Sequence, residues 1–285
     1  MLQFKSGGVS VYVKCSEHLV HLLKGSEFLP SHIPDVLVLD EEFKSGEFVL
    51  EIIYDCQVRF SFAKNRASLY GDIDSNLSIE DVITVIDYCL EYLRQLQGIY
   101  CVHGSAVSSH GLGILIFGGL SGLGKTTLAL HLCKNKNYNL IGDEKLLLKG
   151  DYLLGGIKKV TFNKQWLFES SSLEIAEQIQ REEKAVKISL IIQPGIAGVS
   201  CGLEKEKWSE IKANFHFYEE LSKTIRGVSR RISNFTYPLV SLDNQEIAVG
   251  RSQYAKYLSS KVPFYSIRGN VEEAIDFIDE LLSKS

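Results

Sequence analysis

The chain has 285 residues, of which 45% are hydrophobic and 10% aromatic, enough to bury one large core or two ordinary ones. A formal net charge of −4 offers no global basic surface, which argues against nucleic-acid and anionic-membrane partners. No basic segment followed by a long apolar stretch opens the chain, no run of about 18 apolar residues occurs, and the six cysteines lack CxxC or zinc-like spacing; a cytoplasmic protein with reduced thiols is expected.

In chain order, residues 9–13, 36–39, 48–54 and 58–63 are short β-rich runs separated by Gly, Ser, Pro and Asp, which predicts a small β-rich unit. Ser78-Ile79-Glu80-Asp81 resembles a capping box with Asp in place of the usual Glu. It opens a helix that carries Ile79, Val82, Ile83, Ile86, Leu90, Leu93 and Leu96 on one stripe and stops at Gly98. Residues 99–102 and 113–117 follow as strands joined through the turn-like His110-Gly111, so a hairpin is predicted before the next motif. The division expected from this pattern is an N-terminal α+β domain over 1–98 and a second domain over 99–285.

Gly119-Leu120-Ser121-Gly122-Leu123-Gly124-Lys125-Thr126 fits the phosphate-binding pattern GxxxxGK[ST]. At average residue frequencies a chance match in a chain of this length has odds of about one per cent. The context agrees, since the β-rich Ile114-Leu115-Ile116-Phe117 precedes it and residues 127–133 have apolar side chains at helical spacing. Glycines let successive N–H groups converge on one concave surface, and the helix start adds its unpaired N–H groups and positive dipole end. Lys125 is then the charge for the β- and γ-phosphates, Thr126 the hydroxyl for Mg²⁺, and Thr127 part of the same helix start.

Residues 138–141 read as a strand leading into Gly142-Asp143-Glu144, which puts two acids at a strand end. A phosphate-loop enzyme places its magnesium carboxylate or its base at such a position, and Asp143 is the stronger candidate. His103 ends the strand beside the loop strand; taken alone it reads equally as a structural histidine. Arg226, Arg230 and Arg231 form a basic cluster suited to an anion clamp or to a solvated segment, and Lys158, Lys159 and Lys164 carry the same two readings. Glu169 is a further metal-ligand candidate. Later predicted elements are a helix over 172–184, a strand over 188–193, helices over 208–225 and 252–259, a strand over 263–267 and a helix over 271–282. Asn163-Lys164 runs into Gln165-Trp166 in place of the NKxD of GTPases.

The series His103-Gly104-Ser105-Ala106-Val107, the hairpin, Gly119 to Thr127 and then Leu140-Ile141-Gly142-Asp143-Glu144 resembles the HPr kinase/phosphorylase group and its serine-kinase and lasso-peptide-kinase relatives, which are similar to phosphoenolpyruvate carboxykinases. The likeness covers roughly residues 99–150 and the closing strand and helix. It implies an α/β fold, a PEP carboxykinase/HPr kinase-like P-loop domain following the N-terminal one. It also implies ATP and Mg²⁺ as cofactors, catalytic roles for His103, Lys125 and Asp143, and metal contacts from Thr126, Asp143 and Glu144. Glu144 stands where the group often has a second Asp, and the group's downstream RGxGxxN signature has only Gly155-Gly156-Ile157 to stand for it. A specialised relative is therefore expected, a kinase transferring the γ-phosphoryl group to a hydroxyl of a peptide, a protein or free serine. The competing expectation is a non-catalytic ATP-binding regulator. The partners implied are a nucleoside triphosphate and a hydroxyl acceptor, and a homo-oligomer stays open.

Overall fold

A computed structural model describes residues 1–41, 43, 46–118, 122–158, 180–196, 202–225, 231–234 and 236–283. The chain is mixed α/β and divides into two compact units, one formed by Met1–Tyr100 with Ser222–Arg251 and the other by Cys101–Leu221 with Ser252–Ser285. Among the described residues no helix is long and apolar enough to cross a membrane.

The first unit holds a six-stranded mixed sheet. Its strands are β1 (Leu2–Ser6), β2 (Val9–Lys14), β3 (Leu37–Leu39), β4 (Val49–Ile53), β5 (Arg59–Ala63) and β6 (Arg66–Tyr70), in the order β3-β1-β2-β4-β6-β5. The β1–β2 hairpin turns through Gly7 and Gly8, both at positive φ as a two-residue turn of the primed type demands. Two short helices, α1 (Glu17–Gly25) and α2 (Leu29–His32), precede β3. Helix α3 (Ile79–Leu96) starts with both halves of the predicted capping box, Asp81 N–H donating to Ser78 Oγ at 3.1 Å and Ser78 N–H to Asp81 Oδ2 at 2.9 Å.

The apolar stripe is only part of what α3 buries. Asp87, Glu91 and Arg94 are fully buried, and Gln95 is 4% exposed. Arg94 donates to Asp87 Oδ1 at 2.8 Å, Glu91 Oε2 at 3.2 Å and Ser6 Oγ at 2.8 Å, so one guanidinium serves two carboxylates and ties α3 to β1. The segment 222–251 is held in this unit by the same helix. Thr224 donates to Glu91 at 3.0 Å, Arg251 donates to Gln95 at 2.9 Å, and the Tyr88 hydroxyl accepts from Leu242 N–H at 3.0 Å while lying 2.7 Å from the Val240 carbonyl.

The second unit holds the strands β7 (Ile99–Ser109), β8 (Leu112–Phe117), β9 (Asn139–Lys149), β10 (Tyr152–Ile157), β11 (Val186–Ile196), β12 (Glu204–Lys207) and β15 (Phe264–Gly269), in the order β10-β9-β7-β8-β11-β15-β12. A two-stranded pair, β13 (Arg231–Ile232) with β14 (Tyr237–Pro238), belongs to the first unit. The predicted hairpin is β7–β8, turning at His110 and Gly111, both at positive φ. Strands β8, β11 and β15 run parallel, β12 closes the edge antiparallel to β15, and β10 pairs back onto β11, so that β10-β9-β7-β8-β11 meet in a ring.

Helices α4 (Lys125–Lys136) and α7 (Val271–Ser283) cover one face of the parallel strands through Ile114, Ile116, Leu128, Ile192, Ile267 and Ile275. Helix α5 (Glu210–Ser222) covers the other, where Phe117, Trp208, Phe217 and Phe264 have ring centroids 5.5–6.4 Å apart. Burial pushes the Cys133 thiol up to about 12 and raises the Cys89 thiol as well, which keeps both as inert core thiols.

Three expectations are corrected. Helix α6 (Gln245–Lys261) begins well before residue 252, because Asn244 caps it by accepting from Ile247 N–H at 3.0 Å. Residues 180–184 are not helical: Arg181 bridges Leu140, whose N–H reaches the Gln180 carbonyl at 2.9 Å, while residues 172–179 of that expected helix lie outside the described ones. The acid pair lies inside the continuous strand β9 and not at its end.

Arg94→Ala should cost about 3–5 kcal/mol, because it strands two buried carboxylates beside each other. Urea unfolding of the variant measures this, and a loss under about 1 kcal/mol contradicts the network's importance.

Candidate active site

Strand β8 delivers the chain to Gly118 at φ +78, and helix α4 starts at Lys125. Gly119, Leu120 and Ser121 lie outside the described residues. The rest of the loop is held against the end of β11: Ile196 N–H donates to the Leu123 carbonyl at 3.0 Å, and Gly124 sits so close that a Cβ would come 2.7 Å from Ile196 Cβ. Gly122 and Gly124 are at φ +91 and +87, a region that side chains with a Cβ resist. Gly122, and Gly124 of the pattern, are thus demanded by backbone shape, and Gly124 additionally by contact.

At the start of α4 no acidic residue occupies the first turn, and Lys134 and Lys136 stand in the last. The dipole end and the unpaired N–H groups are therefore left to an anion. Lys125 is 8% exposed, with Thr126 and Thr127 half-buried beside it.

Asp143 reaches this helix start from β9. It is 2% exposed and accepts from the Ser105 hydroxyl on Oδ1, from the Thr126 hydroxyl, which lies 3.1 Å from each carboxylate oxygen, and from the Glu144 backbone N–H. Burial raises its pKa above the ordinary aspartate value and the nearby Glu144 charge adds to the rise, opposed by the hydrogen bonds from Ser105 and Thr126.

The acids meet the helix although no strand ends there, because β9 kinks. Glu144 is at φ +64, and the pairing of β9 with β10 slips between Gly156 and Ile157. Gly142 and Gly156 allow the crossing, since a Cβ on Gly142 would sit 2.8 Å from Gly156 Cα. The Gly155-Gly156 pair therefore has a packing role behind the acids. His103, two residues before Ser105 on β7, turns Nδ1 to the Glu144 carbonyl at 2.9 Å and to Glu144 Oε2 at 3.3 Å. A proton on Nδ1 satisfies both acceptors, which leaves Nε2 as the outward nitrogen. Gly104 between them lies over β8, where a Cβ would meet the Ile116 carbonyl oxygen at 2.4 Å.

The structure thus brings Thr126, next to Lys125 in the first turn of α4, onto Asp143 and sets His103 with Glu144 as a pair on the adjoining strands. Ser105 is the residue that sequence reasoning passed over. The available signal was its spacing, two residues after His103 on a strand and hence on the same face. Of the weaker candidates, Lys158 lies 4.0 Å from Glu183, and Arg231 falls in β13, in the other unit. Arg226, Arg230, Lys159, Lys164 and Glu169 lie outside the described residues.

Among the described residues no group of three or more His, Cys, Asp and Glu side chains forms a metal cage. Magnesium is the ion that such a site suits, for it keeps several waters and takes one or two protein oxygens plus phosphate. The Thr126 hydroxyl and Asp143 carboxylate are hard oxygen donors already in contact, so the residues present fit it. No model of a known protein family matches this chain, and no curated protein does.

A carboxylate whose pKa is raised on folding costs stability above that pKa and recovers it as the pH falls towards the unfolded value. Asp143→Asn removes the buried charge and keeps an acceptor for Ser105. The variant should therefore unfold at higher urea than the parent at pH 7, with the gap closing as the pH approaches about 4. A constant gap across that range would show that charge is not the cause.

Proposed function

We propose that the chain is an ATP-dependent phosphotransferase of the HPr kinase-like kind, acting on a hydroxyl acceptor. The observation that carries this reading is the contact of Thr126, in the first turn after the glycine loop, with both oxygens of Asp143 from a separate strand. A loop that only binds an anion has no need of a buried carboxylate there, whereas phosphoryl transfer needs both an anion cradle and an acid beside it.

In the reaction the bond between the γ-phosphorus and the oxygen bridging to the β-phosphate breaks, and the acceptor's hydroxyl oxygen bonds to that phosphorus. The hydroxyl proton passes to Asp143 and ADP leaves. Oδ1 of Asp143 is taken by the Ser105 hydroxyl, so Oδ2 is the oxygen that receives the proton. Ser105 holds the carboxylate in place. Lys125 and the N–H groups of the α4 start stabilise charge on the transferring oxygens, and His103, fixed by Glu144, presents Nε2 to the same region. Magnesium, when bound through Thr126 and Asp143, would neutralise charge shared by the β- and γ-phosphates.

With labelled ATP and a panel of hydroxyl acceptors (free serine and threonine, small alcohols, serine peptides), the parent should yield labelled product. Lys125→Ala should lower the rate about a hundredfold, equivalent to ~3 kcal/mol of transition-state stabilisation. Asp143→Asn should lower it at least as far while still binding a nonhydrolysable ATP analogue. Parent-like rates in both variants would refute the assignment.

A further inference from the structure

A second polar site lies on the opposite face of the same strand ends. Ile192 and Ile267 point into the core under α4 and α7, so their neighbours Gln193 and Ser266 point to the other face. There a cleft of about 440 Å³ opens between the ends of β11, β15 and β12 and helix α5. Its inner wall abuts the phosphate loop, because Gln193 Nε2 is 3.4 Å from where a Cβ on Gly118 would stand.

The charges in the cleft do not cancel internally. Lys212 is used by Glu206, its Nζ being 2.8 Å from each carboxylate oxygen. Lys205 sits over the Phe277 ring at 4.6 Å and is likewise occupied. Arg268 and Glu204 remain: they are direct partners in the antiparallel β15–β12 register, yet among the described residues neither makes an ion pair. Arg268 is also seated deliberately. Its stem lies over Gly195, where a Cβ would come 3.0 Å from Arg268 Cγ. The side chains of Gln193 and Ser266, neither hydrogen-bonded among the described residues, supply neutral polar atoms between the two charges and the loop.

A nucleotide base is not what this lining suits. Trp208 is 6% exposed, stacked on Phe264 at 6.3 Å with Lys212 over its ring at 5.0 Å, and the His216 ring is tilted against it at 5.0 Å and edge-on to Phe215 at 5.4 Å. The Trp208 ring therefore offers no open face for stacking. A cation and an anion a strand apart, neither in an ion pair among the described residues, instead match a small ligand that carries both a carboxylate and an ammonium group.

We propose that this cleft binds a zwitterionic hydroxy compound of the hydroxy-amino-acid class, its carboxylate on Arg268, its ammonium on Glu204 and its hydroxyl end towards Gln193 and Gly118. The ligand's role as phosphoryl acceptor rests on the kinase reading above; its binding does not.

The test follows Trp208 emission in the full chain carrying Trp166→Phe, titrated with L-serine, L-threonine and L-homoserine, and with N-acetyl-L-serine and L-serine methyl ester as single-charge probes. At least one of the three amino acids should give a saturable change. Arg268→Gln should weaken that amino acid about tenfold without affecting the methyl ester, and Glu204→Gln should weaken it similarly without affecting the N-acetyl compound. Lys125→Ala should leave all these titrations unchanged while lowering the phosphoryl-transfer rate about a hundredfold. The proposal is overturned if no amino acid saturates by roughly 50 mM, if both variants bind it as the parent does, or if a nonhydrolysable ATP analogue displaces it competitively. Failure of the protein to bind ATP at all would sink the kinase reading and leave the amino-acid titration to decide the cleft.

Discussion

A single buried carboxylate organises the second unit. Asp143 is almost wholly removed from water, which favours its neutral form, and two hydroxyls bring it back towards ionisation: Ser105 from β7 and Thr126 from α4. Three elements distant in sequence therefore have to converge within hydrogen-bonding distance. The kink at Glu144, the glycine crossing behind it and the hairpin that aligns β7 beside the loop strand each serve that convergence. Such a group is poor at supporting the fold and useful for chemistry, the balance expected where a site is maintained for function.

Much of this was legible in the sequence. The phosphate-loop pattern marked the turn and the helix start because glycine and lysine are there for physical reasons that leave few alternatives. The capping box at Ser78 and the His110-Gly111 hairpin were equally readable, since caps and tight turns are local events governed by a few adjacent residues. What escaped was non-local. A strand that continues through Gly142-Asp143-Glu144 looks like a strand that stops, because the residues that permit a kink are the ones that permit a turn.

The buried face of α3 escaped for a related reason. Asp87, Glu91 and Arg94 have the composition of a solvated face, and only tertiary partners such as Ser6, with Thr224 and Arg251 on the neighbouring side chains, convert it to an interior one. Ser105 was hidden by its ordinariness, a small polar residue on a strand with nothing to distinguish it until Asp143 is placed opposite. The cleft beside Gly118 was similarly out of reach, being assembled from three strands and a helix whose polar residues have no shared spacing.

The outermost strand carries a consequence of its own. A ring of paired strands hides one rim of the second sheet, and among the described residues its open rim is β12, whose four residues Glu204-Lys205-Glu206-Lys207 are all exposed. Alternating charge along a short unpaired edge is a poor template for an incoming backbone, since a neighbouring copy laid beside it would have to dehydrate those charges for little apolar contact. The same four side chains thus guard the molecule against sheet-to-sheet aggregation, and replacing them with apolar ones would create a sticky border.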